Sequence, residues 1–262
     1  MTLPDENQDE SIKPFVGHLL DLRTTVIKVA CFVFGGILIC IPLAPSILGW
    51  LKVPYYRAGL DQVVALQVTQ VGGGLAIAMR IIIWSGLLLS LPFVILSIGS
   101  FIFPGLKERE KNAIMRGAGL SVALFIGGVA MGFFWTLPVA LQVMSRIEHI
   151  MGTPATFWET PGYVVFVLKI LIAFGLTFQM PVILLVLGNM GLVKSKLLRE
   201  KRRHVAIGLM VLAMFLTPSD PFTMIMMALP LIVLYEGCIW LIWAKERGKK
   251  SEDEEDDRSV DD

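Results

Sequence analysis

Few residues of this chain are equipped for chemistry, and most of those stand in unusual places. Lys169, Gln179 and Glu236 each lie inside a long apolar run, and Asp220 sits in a short polar break between Pro218 and Pro221. A charge near the centre of a bilayer costs about 2.5–3.5 kcal/mol on insertion scales, so such groups turn toward other helices or water. Gln179 has two readings: an interhelical hydrogen bond, or part of a polar concave surface that receives a substrate or a partner helix. Lys169 stands seven residues into its run, about 10 Å by helical rise, and snorkels to the outer surface. Glu236 lies seven residues before Trp243, within reach of the inner headgroups. A proton relay needs several acids at similar depth, and one is weak evidence for it.

The remaining acids of interest stand outside the apolar runs. Asp21 and Arg23 precede the first run, and Glu108 and Glu110 alternate with the basic residues of the segment 107–111. They read either as solvated loop charges or as a site for a cationic peptide, because arginine pairs with carboxylates through charge-assisted, often bidentate hydrogen bonds. Other chemistry has little support. Cys31, Cys40 and Cys238 fall in apolar runs without a CxxC spacing and read as small packing residues. His18, His149 and His204 are scattered, and neither HExxH nor GxSxG occurs, so no metal, cofactor or catalytic constellation is expected.

The elements that must carry these residues are membrane-spanning helices. The 262 residues are 55% hydrophobic, with a mean hydropathy of +0.70. A bilayer core of about 30 Å demands roughly 20 apolar residues per helix. Apolar runs cover 24–43, closed by Pro42 and Pro45; 75–103, with Pro92 inside; 113–143; 162–188, interrupted by Lys169, Gln179 and Pro181; and 205–243, split at 217–221. Lysine and arginine set the orientation. Of the 23, eighteen fall in the segments 13–28, 107–116, 194–203 and 245–258, and five (Lys52, Arg57, Arg80, Arg146 and Lys169) fall elsewhere. Both termini are therefore expected in the cytoplasm, which makes the last run a hairpin turning at 218–221 and gives six crossings.

The first arm of that hairpin, 205–216, spans only about 18 Å as a helix. Three regions follow: a cytoplasmic segment 1–23, a six-span domain 24–243, and a charged cytoplasmic tail 244–262 that reads as disordered. The acidic opening residues argue against a cleavable signal peptide. The net charge of +1 suggests no nucleic-acid partner.

Four motifs are similar to a known family. His18-Leu19-Leu20-Asp21-Leu22-Arg23 resembles the H-L-x-E-L-R motif of the TatC family, the multi-span receptor of the twin-arginine protein translocase. The stretch Phe101-Ile102-Phe103-Pro104-Gly105-Leu106, ending at Glu110, resembles its first cytoplasmic loop. Ala173-Phe174-Gly175 through Phe178-Gln179-Met180-Pro181 resembles its fourth span. Leu216-Thr217-Pro218-Ser219-Asp220, with Leu234-Tyr235-Glu236, resembles its last two spans. Their order and spacing match across roughly 15–243.

The resemblance implies an all-α integral membrane fold of six helices in a concave, glove-like arrangement, the last two short. It implies a bacterial inner-membrane receptor for signal peptides carrying two consecutive arginines, without covalent catalysis. Asp21 and Glu110 would pair with the arginines, with Arg23, Phe101 and Pro104 shaping the site. Gln179 and Glu236 would belong to the intramembrane face that docks a partner helix, and Pro218 and Asp220 to the outer turn. The partners implied are TatA-like and TatB-like single-span subunits and further copies of the chain, with transport of folded cargo driven by the proton-motive force. The sequence departs from the family at Asp21 and Gln179, where glutamate is common. A secondary transporter for a small solute is the alternative; it predicts internal repeats, and no convincing one is seen.

Overall fold

The computed structural model describes residues 7–102, 111–153, 156–189, 195–216 and 221–260. These residues are helical except for two three-residue strands and their connections. In chain order they form α1 (Asn7–Leu51), α2 (Val53–Arg57), β1 (Ala65–Gln67), α3 (Gly73–Ile102), α4 (Lys111–Met131), a π-helical segment (Gly132–Thr136), α5 (Leu137–Ile150), β2 (Phe157–Glu159), α6 (Thr160–Thr177), α7 (Met180–Asn189), α8 (Ser195–Glu200), α9 (Arg202–Leu216) and α10 (Pro221–Val260). Helices dominate because a backbone in hydrocarbon must satisfy its polar groups within its own segment.

Among the described residues, five helical stretches are long and apolar enough to cross a membrane: Leu20–Arg57, Gly73–Phe101, Ala118–Ile150, Thr160–Leu185 and Met227–Ala244. At 15 residues, about 22 Å, α9 falls short of a bilayer core. α10 is 40 residues long, but its apolar stretch, Met227–Ala244, is 18 residues, the shortest of the five. It also runs as helix through the charged tail that the sequence reading leaves disordered, a segment rich in the good helix formers lysine and glutamate.

Prolines shape three places. Pro42 and Pro45 do not close the first span, which continues as helix to Leu51. Away from water a missing N–H costs one local bond and does not invite solvent into the helix, and the continuation is held because Ala44 and Leu51 are buried in the core. Ahead of Pro138 the third span widens into the π segment, where Leu137 N–H reaches back five residues to Gly132 O. The wider turn gives the proline ring room against the preceding carbonyls. The fourth span breaks where the sequence reading puts its interruption. Gln179 N–H bonds Leu176 O at 3.0 Å, a tightened turn, before Pro181 enters α7.

Packing is organised around α6. It is flanked by α3 on one side and by α4 with the π segment on the other, whereas α5 packs on α2 and α10, and α10 gathers α7, α8 and α9. Of the apolar window of α6 and α7, 56% is buried, against 11% for α1, which is held at the edge of the bundle by α3. Two glycine contacts allow close crossings, as is common between helices in lipid. A Cβ on Gly36 would lie 2.5 Å from Gly86 O, so α1 and α3 meet backbone to backbone. A Cβ on Gly128 would lie 2.6 Å from Phe178 Cγ and 2.8 Å from Phe174 O, fixing α4 on α6.

One end of the bundle is capped. β1 and β2 pair in parallel, with Ala65 opposite Phe157 and Gln67 opposite Glu159. Tyr55 Oη–H donates to Val64 O, Tyr163 Oη–H to Leu51 O at 2.6 Å, and Thr160 Oγ1–H to Gln67 O at 3.0 Å. The first and third interhelical connections therefore lie at the same end, as alternating crossings require.

Candidate functional site

The α1–α3 hairpin sets the level of the first candidate group. Asp21 precedes the Gly36 crossing by fifteen residues, and Phe101 follows Gly86 by the same number. Both are therefore about 22 Å along their helices from one point, in the same direction. Asp21, Arg23 and Phe101 come to the end of the bundle opposite the cap. Asp21 and Arg23 are exposed on a continuous helix, and Phe101 is half-buried in the last turn of α3. Thr24 and Thr25 donate their hydroxyls to Leu20 O and Asp21 O, each at 2.9 Å. Pro104, Glu110, Pro218 and Asp220 lie outside the described residues.

Gln179 is 2% exposed, and both the oxygen and the nitrogen of its amide bond one neighbour. Ser121 Oγ–H donates to Gln179 Oε1, and Gln179 Nε2–H donates to Ser121 O at 3.0 Å. This two-bond clamp joins α4 to the break between α6 and α7, so the interhelical reading of Gln179 is the one its side chain adopts. Sequence reasoning missed Ser121. The signal available was a lone hydroxyl in an apolar run, which names no partner.

The same end carries a cluster from α8, α9 and α10. Arg202 Nη2 lies 2.9 Å from Glu236 Oε2, with both side chains partly exposed, and Tyr235 Oη–H donates to Leu198 O at 2.9 Å. Arg199 and Arg247 approach the Trp243 ring, at 5.9 and 4.3 Å from its centroid. Arginine over tryptophan suits the membrane–water boundary, where an amphipathic ring and a weakly hydrated cation meet. Glu236 thus stands about two helical turns inside that boundary, paired with a cation from the neighbouring helix. Neither Arg202 nor Trp243 was marked out with it in the sequence reading, because contacts between α9 and α10 have no sequence spacing.

Together the fold and its contacts define a multi-span helical membrane protein, closed at one end by a hydrogen-bonded cap and lined at the other by exposed charge. The family model for the Sec-independent protein translocase protein (TatC) matches residues 17–230. The protein of that name from Deinococcus radiodurans is 32% identical over 229 residues, covering 85% of this chain and 83% of its own. The one from Synechocystis is 32% identical over 236 residues, covering 90% of each. A crystal structure described as the twin-arginine translocase receptor TatC superposes with a TM-score of 0.76 at 26% identity, over 87% of this chain and 98% of that one. The chain belongs to the TatC family.

Proposed function

We propose that the chain is the core receptor subunit of a twin-arginine translocase, a transport component and not a catalyst. It would bind twin-arginine signal peptides at its cytoplasmic face and help move folded proteins across the bacterial inner membrane, drawing on the proton-motive force. The observation that carries this reading is the shared fold with a twin-arginine translocase receptor over nearly the full chain. The placement of Asp21 and Phe101 at one level supports it. In this reading α9 crosses as a short fifth span and α10 as the sixth, so both termini are cytoplasmic. The membrane domain spans 24–243, between a cytoplasmic segment 1–23 and a charged tail 244–262.

Asp21 and Glu110 supply carboxylates to the two arginines through charge-assisted hydrogen bonds, and Arg23, Phe101 and Pro104 shape the peptide's path. Gln179 fixes the helices behind the intramembrane face that receives a partner helix, and Glu236 borders it. Pro218 and Asp220 form the outer turn. TatA-like and TatB-like single-span subunits and further copies of the chain complete the machine.

The test is photo-crosslinking in inverted membrane vesicles, with a photoreactive residue at Phe101 or Glu110. The bait is a precursor carrying a twin-arginine or a twin-lysine signal peptide. Adducts with twin-arginine that weaken sharply with twin-lysine are expected. Folded protein with its partner subunits present, giving no adduct with either bait, would overturn the site assignment.

A further inference from the structure

The capped end holds a cavity that the receptor reading does not use. It has a volume of about 400 Å³ and lies between the first interhelical connection and α5. That size is within the range of small-ligand sites, roughly 300–1,000 Å³. Its floor is apolar, from Leu60, Val63 and Val64, and its rim carries Arg146, Glu148 and His149. Leu60 and Val64 are buried, whereas Val63 is 62% exposed and turns apolar surface outward. The walls are fixed: Tyr55 Oη–H donates to Val64 O, and Gln142 Nε2–H to Ala58 O at 3.4 Å.

The charges on the rim are available. No carboxylate among the described residues lies within ion-pair distance of Arg146. Glu148 Oε1 accepts a hydrogen bond from Trp158 Nε1–H at 3.1 Å, which positions the carboxylate without neutralising it. His149 follows Arg146 by three residues, so their Cβ atoms are about 5–6 Å apart on one helix face. Arg146 and Glu148 put one cation and one anion on the lining of the same cavity, two residues apart on α5. His149 sits in the last turn of the apolar stretch Ala118–Ile150, and Arg146 one turn before it. That is headgroup depth, because the polar layer of each leaflet is roughly 5–8 Å thick.

We propose that this cavity binds the headgroup of a zwitterionic phospholipid bearing a primary ammonium. The phosphate lies on the Arg146 guanidinium, whose fork makes two parallel hydrogen bonds, with His149 as a second donor. The ammonium donates to Glu148, a bond that a quaternary ammonium cannot make. The glycerol end of the lipid covers Leu60, Val63 and Val64. The proposal needs only the membrane-spanning fold, so its failure would leave the receptor reading intact.

The experiment uses the full chain in vesicles containing a phosphatidylethanolamine with a diazirine near the glycerol, and matched phosphatidylcholine and phosphatidylglycerol probes. Crosslinked peptides are mapped by mass spectrometry. Adducts on 58–64 and 142–149 are expected with phosphatidylethanolamine in preference to the other two. Arg146→Gln should lower their yield about tenfold, as loss of a charged hydrogen-bond partner does. Glu148→Gln keeps an acceptor for Trp158 and should remove the preference for ethanolamine over choline. An unchanged thermal unfolding midpoint shows that each variant folds. Equal labelling by all three lipids, adducts confined to the basic end, or loss of adducts in excess inorganic phosphate (a soluble-anion site) would each overturn the proposal.

Discussion

Ser121 and Gln179 are 58 residues apart in the chain and share two hydrogen bonds, both shielded from lipid and water. Paired polar groups between membrane helices are worth about 0.6 kcal/mol on average and up to about 1.7. A double-mutant cycle on Ser121→Ala and Gln179→Ala, read from thermal unfolding in detergent, should return a coupling of about 1 kcal/mol. A coupling near zero would mean that the hydroxyl bond to Gln179 Oε1 is not made, since the bond to the Ser121 carbonyl survives Ser121→Ala. Glu236 behaves differently. Its partner Arg202 is 47% exposed and Glu236 itself 37%, and exposed pairs contribute about 0–1 kcal/mol. Glu236→Gln should leave the unfolding free energy within about 0.5 kcal/mol. An export defect in that variant would then come from lost contact with a partner and not from a weakened fold.

Adjacent glycines test the helix crossings. A Cβ on Gly128 meets the Phe174 carbonyl, which cannot swing aside, whereas one on Gly127 meets nothing within 4 Å. Gly128→Ala should cost about 1–3 kcal/mol through overpacking. Gly127→Ala should be neutral or stabilise by up to about 1 kcal/mol, since alanine is the better helix former. Unfolding of the two variants side by side settles the crossing. Most spans were legible in the sequence because hydrocarbon selects long apolar runs, and the break at Gln179 was legible because Pro181 cannot donate. The course of α1 was not. A proline rule learned in water ends a helix at Pro42, and only the burial of Leu51 shows why this one continues. The strands escaped notice because three residues carry no readable alternation. The site was legible only as separate residues: Asp21 and Phe101 could be marked, but their common level depends on a glycine crossing far from both.

At the scale of the whole molecule, the β1–β2 pairing joins two connections whose paired residues are 92 apart in the chain. Ala65 and Phe157 face each other in register, and paired strand positions lie within the Cα separation that a disulfide spans, about 4.4–6.8 Å. In a background lacking Cys31, Cys40 and Cys238, Ala65→Cys with Phe157→Cys should form a disulfide under mild oxidation. A membrane-impermeant reducing agent should reach it from the side opposite the basic loops. Failure to crosslink in the folded protein would break the cap, and with it the alternation of the first four crossings.

The π segment gives the third span a change of phase. Each residue of an α-helix advances the side-chain direction by about 100°, so one extra residue in Gly132–Thr136 turns the rest of the span by that much. Below it α4 addresses α6; above it α5 addresses α2 and α10. One continuous rod thus serves two sets of neighbours that a regular helix could not face together. Deleting the exposed Trp135 would remove the extra residue and let the segment close to an α-helix with Ala140 and Leu141 still facing the core. That deletion should cost no more than about 1 kcal/mol, because the packing face above it keeps its direction. Trp135→Ala should stay within about 0.5 kcal/mol, as exposed substitutions do. Closing the segment with its residue count unchanged would instead turn the packing face of the upper half toward lipid.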